Sequence, residues 1–127
     1  MSKIRRMLDG YIECALWSST DNADDSGGAP LDDNYGAEDV SEETMEASRK
    51  DCAAFLWYNR KDIREFMQVT GRDLEHVGHD FWLTRNSHGA GFWDRGAGDV
   101  GDRLSDAAHV YGGVDLYVGD DGKIYGD

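Results

Sequence analysis

Apolar residues recur at helical spacing through much of the chain. In residues 2–18 they form a single stripe, which predicts an amphipathic helix. Similar patterns predict helices over 41–58, 60–68 and 99–110, and a short turn over 73–77. The stripe of the first helix consists of Ile4, Met7, Leu8, Tyr11, Ile12, Ala15 and Leu16.

The pattern changes in two places to the shorter period of extended chain. Aromatic runs over 80–84 and 91–94 predict two strands, joined by a hairpin at 86–90. Near the end of the chain, an Asp-Gly pair between 114–118 and 123–125 predicts a second hairpin.

Together these elements predict the α+β class. We expect N-terminal helices packed with a small antiparallel β-sheet, with one helix inserted before the C-terminal hairpin. A length of 127 residues favours a single domain over 1–127. Residues 18–40 carry turn-forming residues and few apolar ones, and therefore predict an acidic, partly mobile loop.

The composition and the cysteines suggest a reduced, folded protein. Four Trp, six Tyr and four Phe are too many aromatic residues for a disordered chain. Cys14 and Cys52 each lie in an apolar helical stretch, so we expect reduced and buried thiols, with a disulfide between two helices as the open alternative. No secretory leader or membrane span is predicted, which favours the cytosol.

Negative charge is concentrated in one part of the chain. Residues 7–48 contain twelve carboxylates and no Lys or Arg, while the whole chain has a net charge of −13. Such a block can present a field to a basic surface that normally holds nucleic acid, or it can be a solvated loop. The candidate partner-binding residues are Asp21, Asp24, Asp25, Asp32, Asp33, Glu38, Asp39, Glu42, Glu43 and Glu46.

Histidines near the first predicted hairpin offer a second candidate site. His79, Asp80, His88 and Asp94 are close in sequence, and His and Asp are ordinary metal ligands. Their spacing matches no metal motif, and adjacent residues on a strand point to opposite faces. A polar network that holds two aromatic strands is the structural alternative.

Direct nucleic-acid binding is disfavoured. Four aromatic residues of the predicted strands could stack on bases, but stacking sites also need a positive groove. The net charge of −13 opposes phosphate. The aromatic residues are Phe81, Trp82, Phe92 and Trp93, and we expect them, the two tryptophans included, to pack into the core instead.

The segment 78–95, which reads GHDFWLTRNSHGAGFWDR, resembles a family of small acidic proteins of tailed bacteriophages and prophages. The resemblance extends to 11–19, 34–36, 51–55 and 115–122, and so covers nearly the whole chain. It implies a phage accessory protein that works in the host cytoplasm. The resemblance carries over no activity, because no catalytic role is established for the family, and we expect no cofactor. Small acidic phage proteins include inhibitors of host defence, such as anti-CRISPR and anti-restriction proteins.

We therefore expect a non-enzymatic protein that binds and inhibits a host protein through an acidic, DNA-mimicking surface. The expected partner is a nucleic-acid-binding defence complex with a basic surface. The alternative is a small-ligand-binding or metal-binding enzyme that uses the hairpin around His79 and His88. A third possibility is a structural or regulatory phage protein without a defence role.

Overall fold

The computed structural model describes residues 2–21 and 28–127. Within them the chain forms five α-helices followed by a two-stranded antiparallel sheet, which confirms the α+β class. In chain order the elements are α1 (Lys3–Ser18), α2 (Glu42–Tyr58), α3 (Arg60–Thr70), α4 (Leu74–Arg85), α5 (Asp99–His109), β1 (Leu116–Val118) and β2 (Ile124–Gly126). Short 3₁₀ turns occur at Leu31–Asp33, Ala37–Asp39 and Phe92–Asp94.

Four of the helices, α1, α2, α3 and α5, agree with their sequence patterns, and capping residues mark an end of the first three. The hydroxyl of Ser2 accepts a hydrogen bond from the Arg5 amide at 3.1 Å, and that of Ser41 accepts one from Thr44 at 3.1 Å. Gly71 ends α3 in the left-handed conformation, with φ of 73°. These predicted helices are confirmed to within one or two residues.

The strands predicted over 80–84 and 91–94, with their hairpin at 86–90, are wrong. The first lies inside α4, and the second forms a 3₁₀ turn. The carboxylate of Asp73 accepts a hydrogen bond from the His76 amide at 3.0 Å and starts a helix that continues well past the predicted short turn. The strand preference of the aromatic residues is overridden, because the helical conformation buries them against α1 and α2.

Two glycines allow α1 and α4 to approach closely. A Cβ atom at Gly10 would overlap the backbone carbonyl of Glu75, and one at Gly78 would overlap the carbonyl of Met7. Each glycine lies inside a helix, where it costs roughly 1 kcal/mol relative to Ala. The close packing of the two backbones explains why glycine occupies both positions.

Stacked aromatic rings form the centre of the core. The ring of Phe55 stacks on Phe81 with centroids 4.3 Å apart, and on Phe92 at 5.7 Å. Trp82 is buried and donates its indole N–H to the Ser18 hydroxyl at 2.7 Å. The expectation that Trp93 also packs into the core is wrong, since its side chain is 50 % exposed.

The C-terminal hairpin packs against the start of α2. In the antiparallel pair β1–β2, Tyr117 lies opposite Tyr125. The Ser41 amide donates to the Ile124 carbonyl at 2.8 Å, which joins the hairpin to the segment before α2. Among the described residues, no helix combines the length and apolar character that a membrane crossing requires.

Candidate functional site

The ten predicted partner-binding acids occupy different environments. Asp24 and Asp25 lie outside the described residues. Asp39 is half-buried and accepts a hydrogen bond from the Gly36 amide at 2.9 Å, so it shapes the chain before α2. Six of the acids are exposed: Asp32, Asp33, Glu38, Glu42, Glu43 and Glu46.

Asp21 is buried rather than exposed. Asp21 is only 7 % exposed to solvent, and its backbone amide donates a hydrogen bond to the Ala29 carbonyl at 2.7 Å. Next to it, Thr20 and Pro30 form an antiparallel bridge. The pairing of these backbone segments draws Asp21 inward, so this residue lies off the surface that a partner would contact.

The exposed acids of α2 lie beside two cavities. Glu46 pairs with Arg49, and Arg49 lines a groove between α1 and α2. Glu43, three residues before Glu46 and so its neighbour on the helix surface, lines a separate cavity of about 530 Å³ together with Asp51 and Asp127. The acidic block therefore lies beside both cavities.

The groove between α1 and α2 has an apolar floor. It has a volume of about 780 Å³. Its far side is formed by Tyr35, Ala37 and Met45, from the segment before α2 and from α2 itself. The α1 side is a row of apolar side chains at four-residue intervals: Ile4, Leu8, Ile12 and Leu16. Ile4 is partly exposed, whereas the other three are only 4–6 % exposed and also pack in the core.

Both long edges of the groove carry negative charge. Glu13 lies on the α1 edge with its side chain 72 % exposed, and Asp32 lies on the opposite edge. The two arginines that line the groove are already engaged by acids: Arg5 bonds Asp9 at 3.0 Å, and Arg49 bonds Glu46 at 2.6 Å. The edges therefore keep a net negative charge.

A histidine, His79, is the basic side chain that lies beside Glu13. The Nε2 atom of His79 lies 3.9 Å from a carboxylate oxygen of Glu13. Burial lowers the pKa of His79 below its usual value, an effect that outweighs the attraction of Glu13. The imidazole is therefore mostly neutral at pH 7 and leaves the charge of Glu13 in place.

The structure brings His79 and His88 onto one cavity, as the alternative hypothesis requires. This cavity of about 520 Å³ is also lined by Cys14 and Arg95. Burial raises the pKa of the Cys14 thiol to about 12, so the thiol is protonated at neutral pH and is a poor nucleophile. Both cysteines are free and buried in the structure.

The two aspartates of the histidine hypothesis have structural partners. Asp80 is 0 % exposed and accepts hydrogen bonds from Arg72 and Arg95, the shortest at 2.8 Å. Asp94 accepts a hydrogen bond from the Gly91 amide at 3.0 Å. In residues 2–21 and 28–127, no three His, Cys, Asp or Glu side chains are arranged to hold a metal ion.

The aromatic residues considered for base stacking are largely inaccessible. Phe81, Trp82 and Phe92 are buried in the core, and Trp93 alone of the four has an exposed side chain. A base cannot stack on a ring that lies inside the core. The expectation that the protein does not bind nucleic acid directly stays a prediction.

The groove is not predicted by the sequence. The acidic block includes Asp9 and Glu13 without distinguishing them, and most of the apolar row of α1 is part of the core in the structure. A usable signal exists in the sequence: the apolar row at positions 4, 8, 12 and 16 runs beside a charged row at 5, 9 and 13.

Comparisons of the chain with protein families, with curated proteins and with solved structures found no match.

Proposed function

We propose that the chain is a phage accessory protein that binds a host protein and blocks its basic, nucleic-acid-binding surface. The expected target is a defence complex that reads DNA or RNA, of the kind that anti-CRISPR and anti-restriction proteins inhibit. The action needs no catalysis and no cofactor, and it takes place in the host cytoplasm. The phage origin rests on the resemblance of the segment 78–95.

One observation carries the proposal: exposed acids around the groove keep their negative charge. The acidic groups at the edges outnumber the arginines, and the two arginines present are each paired with a carboxylate. Duplex DNA carries one negative charge per roughly 1.7 Å of its axis. A row of carboxylates on a folded surface can offer a comparable field to a basic channel.

The test is affinity capture from a lysate of the bacterial host, using three versions of the tagged protein. The first is the parent, and the second neutralises three exposed acids through Asp32→Asn, Glu38→Gln and Glu42→Gln. A third, matched version neutralises three exposed acids elsewhere through Asp102→Asn, Asp106→Asn and Asp115→Asn.

We expect a captured nucleic-acid-binding protein whose affinity falls with salt and falls further in the first set of substitutions. The reason is that surface charges are screened beyond about 8 Å at physiological ionic strength. The matched version should bind nearly as the parent does. Equal loss in both substituted versions, or an affinity independent of salt, would contradict the proposed surface.

A second candidate function is small-ligand binding at the cavity that His79 and His88 share. Both histidines and Arg95 line that cavity, which favours ligand binding there, although Arg95 is already bonded to Asp80. His88→Ala is the informative change, because His88 is exposed and its loss should leave the fold intact. A stable His88→Ala protein that captures its partner normally argues against this candidate, and a stable but inactive one argues for it.

A further inference from the structure

The groove between α1 and α2 is elongated and is lined by side chains. The apolar row from Ile4 to Leu16 spans three intervals of four residues, which is about 18 Å at the helical rise of 1.5 Å per residue. That length matches roughly three turns of a second helix. Rows at four-residue spacing are inclined by about 26° to the helix axis, so the floor crosses α1 obliquely.

The walls of the groove suit a helix better than an extended strand. Both α1 and α2 satisfy their backbone hydrogen bonds internally, so neither offers a free sheet edge to which a strand could add. The contacts available to an occupant come from apolar side chains, including Tyr35 and Met45. An amphipathic helix uses such contacts through side chains at i, i+4 and i+7.

The negative charges at the groove edges favour a helix with basic side chains. Glu13 and Asp32 place negative charge on the two long edges, so an occupant with basic flanks is attracted. A second copy of this chain has a net charge of −13 and would bring the same acidic edges, so it is repelled. An apolar small molecule would gain nothing from the charged edges, which stay hydrated, whereas a basic helix contacts both the floor and the edges.

We propose that this groove holds a cationic amphipathic helix of the partner protein. Its Lys or Arg side chains face Glu13 and Asp32. Its apolar face packs above the α1 row, mainly on the side chains there that keep exposed surface: Ile4, Tyr35, Ala37 and Met45. The inference rests on the proposed function and deepens it: the acidic surface attracts a basic protein, and the groove selects the segment that is bound.

The experiment uses two labelled Leu/Lys peptides of identical composition, each about four helical turns long. In one the leucines follow helical spacing, and in the other they are scrambled. Fluorescence anisotropy gives the affinity of each peptide for three proteins. These are the parent, the groove-filling variant Ala37→Trp, and the matched variant Ala47→Trp, whose exposed alanine lies outside the groove.

We expect the amphipathic peptide to bind the parent about tenfold tighter than the scrambled one, since burial of even one leucine suffices for that factor. The Ala37→Trp variant should abolish this preference, and Ala47→Trp should keep it. The circular dichroism of both variants should match that of the parent. The preference should change little with salt, because it comes from apolar contact rather than charge.

Other results overturn the inference and separate it from the proposed function. If both peptides bind the parent equally and with strong salt dependence, the groove is not a helix site, but the acidic surface still attracts cations. If neither peptide binds at low salt, the proposed function fails as well. If light scattering shows a dimer that Ala37→Trp dissociates, a second copy occupies the groove and the inference is wrong.

Discussion

Substitution of Asp80 tests whether this residue is structural, as its contacts indicate. Its carboxylate is fully buried and accepts four hydrogen bonds, two from Arg72 at 3.0 and 3.3 Å and two from Arg95 at 2.8 and 3.1 Å. The two arginine side chains are only 23 % and 25 % exposed. In Asp80→Asn, two largely buried guanidinium groups lose their shared counter-charge at nearly unchanged side-chain volume.

The loss of one member of a buried ion pair costs about 3–5 kcal/mol of unfolding free energy, because the remaining charge stays buried without compensation. In a chain of 127 residues this lowers Tm by roughly 10 °C or more. Urea denaturation and thermal unfolding followed by circular dichroism measure both quantities.

Asp9→Asn provides the control. It breaks the pair between Asp9 and Arg5, which lies on the surface of α1 with both side chains largely exposed. Such a pair contributes about 0.2–0.5 kcal/mol. If Asp80→Asn destabilises the protein no more than Asp9→Asn does, the buried cluster does not hold α3, α4 and the Phe92–Asp94 turn together, and the structural role is refuted.

Three further predictions concern the core. Gly78→Ala should destabilise the protein by about 1–3 kcal/mol in urea denaturation despite the better helix propensity of alanine, because the added methyl overlaps α1; a stabilised variant would show that the helices do not pack this closely. Trp82→Ala should cost about 3–5 kcal/mol, while Trp93→Ala should cost far less, since Trp93 is half-exposed; equal melting temperatures would contradict the burial of Trp82. Folding raises the pKa of Cys14 from its ordinary value to about 12, so the thiol contributes stability below the unfolded pKa and loses it as pH rises through the folded one. Between pH 9 and 12 the parent should therefore lose more stability than Cys14→Ala does, and parallel pH profiles would refute this.

The sequence predicted the helices that have both a clear apolar stripe and a capping residue. Residues 2–18 and 41–58 are of this kind, with Ser2 and Ser41 at their starts. Helix α4 was missed because its aromatic residues favour strands locally and because Gly78 interrupts its pattern. Only its packing against α1, where the glycine is needed, explains the helical outcome.

The sequence predicts which residues of the candidate site are acidic, but not how those residues are arranged in space. The sequence identifies the acidic residues, since charge is read directly from residue type. It does not show that Asp21 is buried, because that depends on the pairing of Thr20 with Pro30. Nor does it show that an apolar groove lies beside the acids, because the groove follows from the packing of α1 and α2.

Competition with nucleic acid tests whether the acidic surface occupies the nucleic-acid site of the host protein. The captured host protein is first bound to a short labelled duplex, or to its guide RNA–DNA complex, and the purified acidic protein is then titrated in. We expect the labelled nucleic acid to be displaced, the displacement to weaken with salt, and neutralisation of Asp32, Glu38 and Glu42 to impair it. A stable ternary complex in which the nucleic acid stays bound would contradict the claim that the acidic surface occupies the nucleic-acid site.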